Sequence, residues 1–255
     1  MSDPAEYQSL ASEAYSIVRL RILRGDLTMG QVISRRKLAT ELGMSFLPVS
    51  EALLKLEFEG LLESRPRAGT RVRIPTVQDV QGHFVVREAL ESQAARLFTV
   101  AATAEEKAEL ARLALRVDTL SMQPDADRYQ FLSLHEKLHR RIAECARCES
   151  LSEAIEKTHA LASTWMCVGR QSEPGDPPRR THQDLIAILS GRDPEAAAGA
   201  MRRHILASKD KSVERLKPYF QLHITRGTTF VRSTRKPRTA ANAGSTHRVP
   251  AVQST

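Results

Sequence analysis

Apolar residues recur at three- and four-residue steps along most of this chain, and at two-residue steps in one short region only. Ala14, Ile17, Val18 and Ile22 share a face of a helix expected over 5–24, closed by Gly25 and the polar run to Gly30. Ser34 opens a second helix with Leu38, Ala39 and Leu42 on one side, and Gly43 stops it. Ser45 opens a third, in which Pro48 falls harmlessly in the first turn. There Val49, Ala52, Leu53 and Leu56 face inward, and Phe46, Leu47, Ser50, Glu51 and Lys55 face outward. Two helices joined by a three-residue turn are a helix-turn-helix, whose second helix is sized for a DNA major groove. Leu61–Arg65 and Thr70–Ile74 are then short strands about a turn at Pro66-Arg67-Ala68-Gly69. Thr70, Val72 and Ile74 alternate with Arg71 and Arg73, so a basic hairpin stands beside the helix as a wing.

Beyond Ile74 no strand pattern occurs. Thr76 caps a helix to about Ala101, and Thr103 with Glu106 forms a capping box for the next. Helices follow over 125–146, 150–168 and Arg180–Leu189, with a Pro-, Gly- and acid-rich loop at Glu173–Pro178. Asp193-Pro194 opens a last helix to about Leu216. The expected fold is mainly α: an N-terminal winged helix-turn-helix over 5–75, an antiparallel helical bundle over 76–220, and a basic, disordered tail over 221–255.

Charge changes this picture little. The net +8 is uneven: residues 1–76 hold eleven Lys/Arg against nine Asp/Glu, whereas 221–255 hold six against none. DNA binding therefore rests on the motif and not on the total. No apolar run approaches membrane-spanning length, and the polar start does not read as a signal peptide. Three scattered cysteines suit a reducing cytoplasm; Cys145-x-x-Cys148 lacks a second pair and reads as packing or surface.

The run Leu38-Ala39, Leu42-Gly43, Ser45, Pro48-Val49, Glu51-Ala52-Leu53, Leu56-Glu57, Glu59-Gly60-Leu61 and Gly69-Thr70-Arg71-Val72 resembles the winged helix of the GntR family of bacterial transcription regulators. That family commonly carries arginines where Phe46 and Ser50 stand; of the equivalent contacts only Arg36 is basic here. Resemblance and wing together make Arg36, Ser45, Phe46, Leu47, Ser50, Arg67, Gly69, Arg71 and Arg73 the expected DNA-contacting residues. Phe46 or Leu47 would meet thymine methyls.

His135 and His139 lie four apart, on one face of a helix. With Glu136 they spell H-E-x-x-H, which in a metalloprotease holds zinc and a general base. Lys137 and the absence of a third-ligand extension argue against that reading. Val86-Arg87-Glu88-Ala89-Leu90-Glu91, Leu138–Glu144 and the later His182, Gly191, Asp193, Met201 and His204 resemble the helical ligand-binding (FCD-type) domain of the FadR-type branch. In many members an Asp and three His bind one divalent metal. The resemblance maps these to His135, His139, His182 and His204, a histidine replacing the Asp. His83, His159, His223 and His247 match nothing, and Trp165 is core or pocket lining.

The resemblance implies a cytoplasmic homodimer, off the membrane, that binds a two-fold operator in double-stranded DNA. A divalent transition metal (zinc or nickel, with iron or copper as further options) and a small organic-acid effector, clamped by Arg87, would control it. The competing readings are a metal-dependent hydrolase using Glu136 and a constitutive DNA-binding protein without effector.

Overall fold

The computed structural model describes residues 9–65, 69–123, 128–167 and 180–229, without side chains at 128, 160, 163–164, 166–167 and 222–229. The first unit is α1 (Leu10–Arg24), β1 (Val32–Ile33), α2 (Arg35–Leu42), α3 (Phe46–Phe58), β2 (Leu62–Arg65) and β3 (Gly69–Val72). Ser9 Oγ accepts from Ser12 N–H to start α1, and Gly25 ends it in the left-handed region at φ 85°. Ser34 Oγ accepts from Lys37 N–H at the head of α2. Ser45 begins α3 with no side-chain cap bond. Ala14, Val18 and Ile22 of α1 meet Leu38 of α2 and Val49, Leu53 and Leu56 of α3 in one core. Two-residue β1, too short to register as alternation, pairs antiparallel with β3, and the sheet order is β1-β3-β2.

The second unit is α4 (Val77–Ala101), α5 (Ala104–Met122), α6 (Arg128–Cys145), α7 (Glu149–Cys167), α8 (Thr181–Leu189) and α9 (Pro194–Thr229). Reciprocal capping boxes start α4 (Thr76 with Asp79) and α5 (Thr103 with Glu106). Asp193 Oδ1 accepts from Glu195 and Ala196 N–H ahead of Pro194. The core is built from Phe84, Phe98, Leu110, Val117, Leu138, Ile142, Trp165, Leu189 and Met201. Trp165 is therefore core, with its ring edge-on to His83. Cys145 is buried there too, its thiol pushed up to about 11 by burial, in keeping with a packing role.

One expectation fails at the C-terminus. The last helix does not stop near Leu216 but runs through Pro218 to Thr229, so residues 221–229 are helix and not tail. Proline costs one backbone donor there, and the helix continues past it. Residues 230–255, the wing-tip residues 66–68 and the Glu173–Pro178 loop lie outside the described residues.

The units touch through α1. Arg19 Nη2 pairs with Glu136 Oε2 of α6 at 2.9 Å, and the Arg24 guanidinium lies over the Tyr129 ring at 5.4 Å. Leu161 of α7 packs against both cores, beside Gly60 at the end of α3.

Candidate metal centre and nucleic-acid interface

Helical spacing turns His135 and His139 of α6 inward together. His182 in the first turn of α8 and His204 of α9 face them, and each of the four offers a ring nitrogen within 4.8 Å of the others'. Around the square, ring centroids are 4.5 Å (His135–His139), 5.2 Å (His139–His204), 5.0 Å (His204–His182) and 5.1 Å (His182–His135) apart. The diagonals are 6.3 and 6.5 Å. All four side chains are buried.

Carboxylates behind the square fix two of the rings. Asp118 of α5 accepts from His182 Nδ1–H at 2.6 Å and from the backbone N–H groups of His182 and Gln183. It therefore caps α8 from another helix, where Arg180 at the N-cap position makes no side-chain bond. Glu91 Oε2 accepts from His139 Nδ1–H at 2.6 Å. A donor role for Nδ1 assigns the lone pair of His139 to Nε2, on the side of the other three histidines. That Nε2 and both nitrogens of His204 are buried without a hydrogen-bond partner. Buried ring nitrogens without partners are costly in an apolar bundle and suit ligation. The four residues fit a divalent ion.

Glu91 has a further cluster about it. Arg87 Nε donates to Glu91 Oε1 at 2.7 Å, with both side chains almost wholly buried at 1% and 2% exposure. His159 Nε2 lies 3.6 Å from the same oxygen. Glu91, His139 and His159 could also be grouped as ligands. The hydrogen-bond distance between Glu91 and His139, and the guanidinium already on that carboxylate, make it a support and not a second cation site. Burial pushes the Glu91 carboxyl upward, but Arg87, His139 and His159 outweigh it and hold it well below its ordinary value. Burial, then the neighbouring imidazoles, holds His135 and His204 well below theirs; burial takes His159 to about 3 and His83 to about 4. His135 and His204 are thus held as neutral imidazole, the ligating form. Arg87 Nη1 is buried and has no partner.

Glu136 stands apart. Its carboxylate contacts Arg19 of the winged unit, so the H-E-x-x-H glutamate serves the junction.

At the other end, Arg36, Ser45, Phe46, Leu47 and Gly69 are exposed as expected. Ser50 is not: at 8% exposure, with Oγ buried and unpartnered, it belongs to the inner side of α3 and offers no atom to a base edge. The wing arginines differ as well. Arg71 pairs with Glu63 across the hairpin, and Arg73 Nη2 pairs with Asp79 Oδ1 at 2.9 Å. Alternation points them off the core, but carboxylates on neighbouring elements already hold them. Arg67 lies outside the described residues.

Glu91, Asp118 and His159 are the residues that sequence reasoning missed. Glu91, four residues after Arg87, carried the one available signal, an i,i+4 ion pair. Nothing local marks Asp118 or His159.

Comparison with known proteins agrees with both halves. Residues 10–72 match the bacterial regulatory proteins of the gntR family, and residues 83–207 match the FCD domain. A probable D-xylose utilization operon transcriptional repressor of Paenarthrobacter nicotinovorans is 30% identical over 78% of this chain and 87% of its own length. The HTH-type transcriptional repressor RspR of Escherichia coli is 25% identical over 78% and 86%. Among solved structures, a GntR transcriptional regulator from Rhodococcus sp. RHA1 superposes with TM-score 0.67 at 18% identity, covering 81% of this chain and 98% of that one. E. coli McbR/YncC superposes with TM-score 0.62 at 21% identity, covering 83% and 99%. No described helix is long and apolar enough to cross a membrane. The chain belongs to the GntR family of bacterial transcription regulators, with a DNA-binding winged helix-turn-helix joined to an FCD domain.

Proposed function

We propose that this protein is a repressor that binds a two-fold operator as a homodimer and is controlled by a small carboxylate effector at a metal held by His135, His139, His182 and His204. The observation that carries this reading is the buried square of four imidazoles, two of them oriented by carboxylates. Two of the relatives are named as repressors, which supports the direction of control. Zinc or nickel suits the all-nitrogen set best, with iron or copper next. A bound ion would supply positive charge and open positions for an anion. Glu91 and Asp118 hydrogen-bond the ligand histidines directly, and Arg87 bonds Glu91 behind them; Arg87 offsets Glu91, which leaves Asp118 to compensate part of the ion's charge. Arg87 Nη1 is the donor available to the effector's carboxylate.

Selection of DNA from a random library supplies the operator, and anisotropy titrations then follow its affinity with zinc or chelator and a panel of mono- and dicarboxylates. We expect a two-fold consensus and a change of at least about ten-fold with one carboxylate, the size of ordinary allosteric coupling. Arg87→Lys should reduce that change. Affinity constant across the panel, with and without zinc, would make the protein a constitutive DNA binder.

A further inference from the structure

The outward first turn of α3 is apolar. Phe46 is 52% exposed and Leu47 66% exposed, Pro48 follows, and Ser50 is turned into the core. Lys55, one of this helix's few polar outward residues, lies over the Tyr15 ring at 4.3 Å. Exposed cations stand on the neighbouring elements: Arg36 and Lys37 at the head of α2, and Arg65 at the end of β2, where Glu63 lies 3.7 Å from it. The winged unit thus offers exposed hydrocarbon on the first turn of α3, with Glu51 exposed one turn on, and cations for phosphates on α2 and β2.

We propose that Phe46 and Leu47 read the C5-methyl groups of thymines, so that operator specificity comes from apolar contact and not from hydrogen bonds to guanine. The inference rests on α3 being the helix that enters the major groove. On the groove floor the thymine methyl is the one apolar feature, whereas a G·C pair presents the N7 and O6 acceptors and the N4 donor. Setting a phenyl ring and an isobutyl group against those polar edges strips their water and returns no hydrogen bond. Against a thymine methyl the same side chains lose only apolar hydration. Discrimination follows from both terms. Arg36, Lys37 and Arg65 set register through phosphates and carry no sequence information of their own.

Deoxyuridine tests this cleanly, because it pairs as thymine does and lacks only the methyl. In the selected operator each thymine is replaced singly, and affinities are measured for the wild type, Phe46→Ala and Leu47→Ala. Both side chains are largely exposed, so the variants should fold, which thermal melting checks. At one or two positions per half-site, deoxyuridine should weaken wild-type binding about four-fold per methyl removed, the value of burying one such group. In the alanine variant that loses the contact, thymine and deoxyuridine should bind equally at that position. Wild-type binding indifferent to every substitution would overturn the inference while leaving operator binding intact, and would return this face to solvent or to a protein partner. If selection recovers no operator, the regulator reading and this inference fall together.

Discussion

Replacing Glu91 by Gln removes one charge from a cluster with almost no contact with solvent. Its carboxylate takes hydrogen bonds from Arg87 Nε at 2.7 Å and from His139 Nδ1 at 2.6 Å. The amide can satisfy one of them but not the guanidinium charge. Breaking a buried pair from one side costs roughly 3–5 kcal/mol, because the other charge stays behind. The amide's residual bonding puts the expectation at the low end, about 3 kcal/mol, or a fall in Tm of roughly 6–12 °C for a unit of this size. The sign with pH is set by the depressed carboxyl: its stabilisation is complete above the ordinary value of 4.5 and is lost only as pH falls through the lower folded value. Measurement at pH 7 therefore sees all of it. Urea unfolding in chelator gives the stability term for Glu91→Gln, and for the cycle of Glu91→Leu, Arg87→Leu and the double variant Arg87→Leu/Glu91→Leu. The double variant should lose less than the sum of its singles, by roughly 2–3 kcal/mol of coupling. Zinc affinity of Glu91→Gln should also fall about 10- to 100-fold, the usual cost of losing a ligand's orienting partner. A Gln variant that melts within about 1 °C of the wild type, or strictly additive singles and double, would refute the buried-pair account.

Two other outcomes follow from the same geometry. His135, His204, His159 and His83 are held neutral in the folded chain, with His83 at about 4 and His159 at about 3, whereas the unfolded chain takes up protons from 6.5 downward. The unfolded state therefore binds more protons in that window, and metal-free stability should fall by up to about 1.4 kcal/mol per pH unit for each such histidine. A urea midpoint equal at pH 7 and pH 5 contradicts this. Glu136→Gln removes a partly exposed ion pair worth under about 1 kcal/mol. It should keep zinc stoichiometry while shifting Tm by less than about 3 °C; loss of zinc would return Glu136 to the metal and revive the hydrolase reading.

The winged helix was legible because its signals are local: the cap at Ser34, the helix start at Ser45, the stop at Gly43, and the basic hairpin after Leu61. Ser50 misled because its helical angle lies near the edge of the buried stripe, where packing and not periodicity decides which way a small side chain turns. Arg71 and Arg73 misled for another reason. Alternation gives the direction of a side chain, but it cannot see Glu63 across the hairpin or Asp79 in the next helix. His135 and His139 were legible from their spacing, but His182 and His204 could be joined to them only through a resemblance, since α6, α8 and α9 are brought together by tertiary packing. Asp118 is 64 residues from His182, and Glu91 is 48 from His139. No spacing rule reaches that far. The continuation of α9 past Pro218 shows how weak a helix-stop signal proline is in a long helix that already has its first turns packed.

The most direct test of the central claim is metal content. Protein expressed in zinc- and nickel-supplemented medium and purified without chelator is analysed for metals per chain, beside His135→Ala, His139→Ala, His182→Ala and His204→Ala. The account predicts about one divalent ion per wild-type chain, the number one square of four imidazoles holds, and loss of it from each variant. A metal-free wild type would contradict the site outright, and unchanged occupancy in His135→Ala would strike that residue from the ligands.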